Sequence, residues 1–451
     1  MQELIQDAMQ RVSNYLTEVQ TRRVSPSPEA LQALAELEFP MPDKGMAVAE
    51  VLRFLDEIGS PATVASAGGR YFGFVTGGSL PAALAAKQLA SAWDQNTGLY
   101  VMSPIAAKLE MMANQWLVDL LELPASTAVG FVTGATMANF TGLAAARHAV
   151  LERAGWNAEK QGLFGAPEVK VVVGEEYHAS MKKALNLIGF GSERVIKVPV
   201  DEQGRMRADA LPEMDAMTVL CLQSGNVNSG AFDPAAEIIP AAQDAGAWVH
   251  VDAAFGLWAR ASDELKRLAI GLELADSIST DAHKWLNVPY DCGLVFVREP
   301  QHLVAAMTEQ AAYLIESNTR DNMQFTPEMS RRGRGIEVWA ALLSLGKEGL
   351  AELVERNCRQ TRRFAEGLQA AGYEVLNDVV LNQVMVKFGD AEITNQVISA
   401  VQEEGTMWAG GTVWQGYTAM RISVSSWATT NEDIEASLAA LLRVANELIE
   451  G

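Results

Sequence analysis

Trp248-Val249-His250-Val251-Asp252-Ala253-Ala254 is a short apolar run, β-branched at alternate positions, that stops on a carboxylate and two small residues. A run of this length between helical patterns reads as a strand buried on both faces. Working outward, three more runs have the same character: Val169-Lys170-Val171-Val172-Val173, Thr218-Val219-Leu220-Cys221-Leu222 and Gly293-Leu294-Val295-Phe296-Val297. Helical patterns separate them from about residue 100 onward, which predicts an α/β architecture with a mostly parallel sheet. Past a helix-rich stretch around 335–372 the pattern changes to short strands, Val384 to Phe388 and Ala419 to Val424, and terminal helices, as in a smaller α+β domain. Residues 1 to about 60 read as amphipathic helices parted by Ser25-Pro26-Ser27-Pro28 and by the Pro-bearing link Phe39 to Gly45. Two or three short helices bury too little surface to stand alone, so this arm is expected to pack on the main body or on a second subunit. The predicted division is a helical arm at 1–60, a large domain at 61–340 and a small domain at 341–451.

The composition narrows the function. Thirty-five Lys plus Arg stand against 56 Asp plus Glu in 451 residues, a formal charge of −21 that would repel nucleic acid and anionic lipid. Cys221, Cys292 and Cys358 are far apart, with no CxxC spacing, so neither a zinc knuckle nor a disulfide framework is indicated, and no metal is expected. The first 23 residues mix charges into a helical pattern instead of a signal peptide's apolar stretch, and the apolar stretch Leu80 to Ala92 is broken by Lys87 and Gln88. A cytoplasmic enzyme in a reducing compartment is the expectation.

About 30 residues after the Asp252 strand comes Ser279-Thr280-Asp281-Ala282-His283-Lys284-Trp285. Separately these pieces are bland: a Lys beside a His is ordinarily a solvated residue, and an Asp closing a strand often only caps a turn. Together they meet a chemical need, a lysine to hold an aldehyde cofactor as a Schiff base and a carboxylate to keep a pyridine nitrogen protonated. Pyridoxal 5'-phosphate fits both. A phosphate cradle is offered upstream by Phe131-Val132-Thr133-Gly134-Ala135-Thr136-Met137-Ala138-Asn139, a small-residue turn running into the helix Phe140 to Leu151. It is neither a P-loop nor a GxGxxG motif.

The ordered motifs Gly73 to Pro81, Ser103-Pro104, Thr133 to Asn139, Glu176-Tyr177-His178-Ala179-Ser180, Gly230 to Pro234, His250 to Ala254 and Asp281 to Trp285 carry a resemblance. From about residue 20 to the C-terminus the sequence resembles the group II pyridoxal phosphate-dependent amino acid decarboxylases, the family of aromatic L-amino acid, glutamate and cysteine sulfinate decarboxylases, in a bacterial-type form. The resemblance implies the aspartate aminotransferase-like arrangement called fold type I, and a homodimer with a shared active site acting on an L-amino acid as small-molecule substrate. It implies that Lys284 carries the Schiff base, Asp252 pairs with the pyridine nitrogen, Ala254 packs beneath the ring and His178 stacks above it. Ala135 and Thr136 would hold the phosphate with Asp281 and His283, and Asn226 would lie near the ring's phenolic oxygen, although Gly225-Asn226-Val227-Asn228 departs from the family's threonine-containing form.

His178 also has the plain reading of a cap for the helix Ala179 to Leu187, while His148, His250 and His302 have no such context and read as structural. The resemblance places Phe72, Phe74, Val75, Thr76 and Trp93 along a substrate pocket, which suits an aromatic side chain; Arg421 would leave an acidic one open. In the stretch Ala311 to Glu328, where family members carry a loop tyrosine, Phe325 falls at about the expected place. Phe cannot donate a proton, and relatives with Phe there release an aldehyde, ammonia and peroxide. Decarboxylation to an amine is the first expectation and oxidative deamination the alternative; another lyase or transaminase reaction would use the same cofactor. The basic run Ser330-Arg331-Arg332-Gly333-Arg334-Gly335 reads either as a solvated or carboxylate-neutralising face or as support for a phosphate or acidic substrate near a subunit interface.

Overall fold

The computed structural model describes residues 1–308 and 319–450. The chain forms two compact units. The larger comprises 79–359 with 377–383; the other gathers 1–78, 360–376 and 384–451.

The larger unit is built on a seven-stranded sheet. Its strands are β1 (Ala128–Val132), β2 (Lys170–Gly174), β3 (Ile196–Val198), β4 (Thr218–Gln223), β5 (Trp248–Asp252), β6 (Ser277–Asp281) and β7 (Gly293–Val297), in the order β1-β7-β6-β5-β4-β2-β3. The pairs β2–β3, β2–β4, β4–β5 and β5–β6 are parallel. Strand β7, which its sequence had placed in a parallel sheet, runs antiparallel to both β1 and β6. A short return from β6 to its neighbour allows only that direction, because a parallel return needs a crossover of a dozen or more residues. Strands β1, β5 and β7 are buried along their whole length, and Val supplies much of their apolar surface.

Strand β6 was not legible as a strand. Its sequence, Ser277-Ile278-Ser279-Thr280-Asp281, is mostly polar, yet every residue is buried. Ser277 Oγ accepts from Trp248 Nε1 at 3.0 Å, and Ser279 Oγ donates to Asn139 Oδ1, so the polar face is satisfied inside the protein.

In the other unit the four-stranded sheet has the order β10-β11-β9-β8, with β8 Glu374–Val375, β9 Gln383–Lys387, β10 Gly410–Trp414 and β11 Tyr417–Ser423. The predicted N-terminal helices are Gln2–Glu18, Pro28–Ala33 and Val48–Phe54. The helical stretch near 335–372 is Arg334–Ala370, interrupted where Gly346 takes φ 62°, a left-handed conformation that favours glycine.

Candidate active site

The carboxyl ends of β1, β2, β4, β5 and β6 lie along one edge of the large sheet, the edge at which open α/β sheets present their ligands. The residues that follow those strands include nearly all of the expected cofactor site. Gly293 brings two of them together: in register it faces Val132 at the end of β1 and Asp281 at the end of β6. A Cβ on Gly293 would stand 2.5 Å from the backbone of Gly134, so only glycine lets the strand pass this close to the turn.

From that turn the helix Ala135–Arg153 begins five residues before the predicted position. Ala135 N–H donates to Asp281 Oδ1 at 2.6 Å, and Asp281 Oδ2 pairs with Lys284 Nζ at 3.2 Å. Lys284 is fixed by its neighbours. Trp285 is fully buried and donates Nε1–H to Asn357, and Trp258 donates to the Asp281 carbonyl oxygen. The Lys284 ammonium lies 5.8 Å from the centre of the Phe255 ring. His283 Nδ1 accepts from Cys292 N–H at 3.1 Å, its ring tilts over Tyr290, and its Nε2 is 3.5 Å from Asp281 Oδ1. Burial holds the His283 pKa below the ordinary histidine value, against the pull of Asp281.

The Asp281 carboxylate changes one expectation. A negative group that takes the first helix amide competes with a phosphate for it and repels the phosphate charge. Asp281 therefore fits a counter-ion to Lys284 better than a phosphate holder, which leaves Thr136, His283 and the helix N-terminus for that task.

Asp252 is 4% exposed at the end of β5 and accepts from Asn139 Nδ2 at 3.0 Å and from Ala254 N–H at 3.3 Å. Asn139, read in the sequence only as the end of the turn, is fully buried one helical turn after Ala135. His250, read as merely structural, is its second partner: His250 Nε2 lies 2.9 Å from Asn139 Oδ1, and His250 Nδ1 lies 2.8 Å from Ser277 Oγ. Burial pushes the His250 pKa down to about 3, so the ring is neutral. Gly142 makes its room, since a Cβ there would stand 2.7 Å from the His250 ring. The alternation of side chains along β5 puts His250 on the same face as Asp252, a signal from which Asn139 and His250 could have been suspected.

His178 is the cap its plain reading suggests: Nδ1 accepts from Ser180 N–H at 3.1 Å and lies 2.7 Å from Ser180 Oγ. With Nδ1 accepting, the neutral ring carries its proton on Nε2. His178 and Asp252 line one recess together with Tyr177, Cys221 and Gln223. Asn226 is spent largely on its own turn, accepting from Asn228 N–H and Ser229 N–H and donating to Glu176 Oε2 at 3.2 Å.

The pocket residues are less uniform. In the smaller unit Phe72 is core, edge-on to Phe364, and Val75 is 1% exposed, whereas Phe74 is exposed and rests against Trp408. Phe74 and Val75 both take positive φ, 54° and 56°, and the Thr76 carbonyl accepts from Ser425 Oγ. In the larger unit Trp93 closes a helix and is exposed; Phe325 packs against the hydrophobic core with the Arg320 guanidinium 3.7 Å from its ring centre. Of the loop Ala311 to Glu328, residues 311–318 lie outside the described residues. The basic run is not a solvated face: Arg331 pairs with buried Glu110 through two bonds of 2.8 Å, Arg332 with Glu337 and Asp291, and Arg334 with Asp291 and Glu328.

A mixed, mostly parallel sheet, with a buried aspartate at the end of one strand and a lysine just past the end of its neighbour, is the frame of fold type I. Residues 29–388 match the model of the pyridoxal-dependent decarboxylase conserved domain; the chain belongs to that family and is a pyridoxal phosphate-dependent carboxy-lyase. It is 29% identical to an L-2,4-diaminobutyrate decarboxylase of Rhizobium meliloti (strain 1021), over 81% of this chain and 76% of that one. It is 26% identical to a phenylacetaldehyde synthase of Arabidopsis thaliana, over 78% and 76%. A crystal structure of Oryza sativa TDC with PLP and tryptamine shares the fold, with a TM-score of 0.90 at 22% identity over 99% of this chain and 98% of that one.

Proposed function

We propose that the chain decarboxylates an L-amino acid to the corresponding amine, with pyridoxal phosphate attached at Lys284. Bound there, the cofactor supplies an electron sink for the bond broken at the substrate's α-carbon. The observation that carries the reading is the buried carboxylate of Asp252, held by two donors at the end of β5, with the Asp281–Lys284 pair at the end of β6 alongside. A fixed anion there keeps a pyridine nitrogen protonated. Ala254 would pack against the cofactor ring and Asn226 would lie near it. The helix N-terminus at Thr136, with His283, would hold the phosphate. His178, oriented by its cap, would stack on the ring and present Nε2–H to the substrate carboxylate.

A second reading, oxidative deamination to an aldehyde, is favoured by Phe325, which has no proton to give, and by the likeness to an aldehyde synthase. One experiment separates the two. Purified protein reconstituted with cofactor is offered the common L-amino acids while carbon dioxide, amine, aldehyde and peroxide are recorded. Amine and carbon dioxide without peroxide are expected, together with a yellow absorption band that Lys284→Ala abolishes. Peroxide in step with aldehyde would transfer the assignment to the second reading, and a protein that takes up no cofactor would overturn both.

The working form is proposed to be a cytoplasmic homodimer whose N-terminal arm lies on the partner subunit. Support comes from the apolar side chains this segment leaves uncovered, Leu31, Phe39 and Leu55 among them, each more than half exposed. No helix among the described residues is long and apolar enough to cross a membrane.

A further inference from the structure

Two histidines that the sequence left as structural meet near the far end of the helix Ala135–Arg153, about 20 Å along it from the cofactor end at 1.5 Å per residue. His148 and Glu152 are one turn apart on that helix, and His302 comes from the helix Pro300–Met307 packed beside it. His148 Nε2 lies 3.5 Å from Glu152 Oε2, and His302 Nδ1 lies 3.9 Å from the same oxygen. One nitrogen or oxygen from each of the three residues falls within 4.8 Å of the other two. Ligands about 2.0–2.1 Å from a tetrahedral ion stand about 3.4 Å apart, so two edges of such a site are already close to length.

The outer contacts point the same way. The opposite ring nitrogen of each histidine faces its own carboxylate: His148 Nδ1 is 2.8 Å from Glu159 Oε2, and His302 Nε2 is 3.4 Å from Glu299 Oε2. Carboxylates behind imidazoles fix the ring and its tautomer and raise the basicity of the inward nitrogen, the arrangement common around metal-bound histidines. A plain ion-pair cluster would account for Glu159. It does not account for His302 Nδ1, a buried nitrogen without a hydrogen-bond partner that faces the other two groups. His302 also packs in a T-shaped pair with Trp248, with ring centres 5.6 Å apart.

We propose that His148, Glu152 and His302 bind one divalent transition-metal ion of the Zn²⁺ class, with Glu159 and Glu299 orienting the two imidazoles and water completing the shell. Two nitrogen ligands argue against Ca²⁺ and Mg²⁺, which prefer oxygen, and three carboxylates around the site supply the negative charge a dication needs. The ion would tie the helix Pro300–Met307 to the helix that opens the cofactor site. The binding is independent of the activity proposed above.

The test uses the full chain, stripped with a chelator and titrated with Zn²⁺ by calorimetry, and with Co²⁺ while its visible d–d bands are followed. One equivalent of Zn²⁺ is expected, with intense bands of tetrahedral Co²⁺. Glu152 is 61% exposed, so Glu152→Gln keeps the fold and should weaken binding about tenfold or more. Glu159→Gln should weaken it about 10- to 100-fold, and His302→Gln should abolish the Co²⁺ bands. Zn²⁺ should raise the thermal midpoint of the native chain and not that of His302→Gln. Equal uptake by the native chain and the Glu152→Gln and His302→Gln variants, or no uptake by the native chain, would overturn the site.

Discussion

The orientation of one amide ties Asp252 to the core. A carboxylate only accepts, so Asn139 must turn its NH₂ group toward Asp252 and its oxygen toward His250 and Ser279. That oxygen needs a donor, so neutral His250 carries its proton on Nε2 and accepts at Nδ1 from the Ser277 hydroxyl, whose own oxygen takes the Trp248 N–H. Every donor in the chain therefore points toward the Asp252 carboxylate. Asn139→Ala would leave His250 and Ser279 without their acceptor and Asp252 short of a donor. It should cost about 1–3 kcal/mol in urea unfolding and weaken cofactor binding. A variant as stable and as tightly loaded as the native chain would show that the network does not position Asp252.

The same residue sets a pH dependence. The folded pKa of His250, about 3, lies below the ordinary value of 6.5, so as pH falls the unfolded chain takes the proton first. Its contribution is full above about pH 6.5 and is lost progressively toward pH 3. Asp233, held up to about 6 by burial, acts in the opposite sense and is common to both proteins compared. The native chain should lose stability faster than His250→Gln between pH 6.5 and 3 in denaturant titrations. Parallel pH profiles would contradict this.

At the scale of elements, the helix Ala135–Arg153 does several jobs at regular intervals. Its first amide meets Asp281, Asn139 meets Asp252 one turn later, and Gly142 opens the space for His250. It packs against both β6 and β7, so a displacement at either strand is felt at the site. The turn 330–334 is tied to the helix Pro104–Leu120 by Arg331 and Glu110, whose side chains are 2% and 0% exposed. Charges buried this fully are strongly coupled: Arg331→Ala should destabilise by about 3–5 kcal/mol, because it strands the carboxylate of Glu110. The double change Arg331→Met with Glu110→Leu should recover most of that loss, because it buries no charge. Thermal unfolding of the three proteins checks the pair, and equal loss in single and double variants would refute the argument.

Across the whole molecule, charge and arm act together. A formal charge of −21 keeps copies apart at long range, so association must come from apolar contact at short range. The exposed Leu31 and Leu55 of the arm, 51% and 63% accessible in the single chain, are where that contact is proposed. Changing both to Asp disturbs no buried packing, and should shift the protein toward monomer in sedimentation and lower its activity in parallel. A variant that sediments and turns over like the native chain would remove the arm from the interface.

The strands buried on both faces were legible because burial in an apolar layer favours short, largely apolar runs rich in Val and Leu, and Val171–Val173, Val219–Leu222 and Val249–Val251 are of that kind. Lys284 and Asp252 were legible because each closes a short local pattern of restricted chemistry. Strand β6 and the pairing of Arg331 with Glu110 were not. Local polarity predicts solvent, and only residues distant in sequence reveal that these groups are satisfied inside. The sequence by itself determined the mostly parallel sheet and the class of cofactor. The tertiary structure alone decided the partners of Asp252 and Arg331, since Asn139 reaches Asp252 across 113 positions and Glu110 reaches Arg331 across 221, separations over which local pattern carries no information.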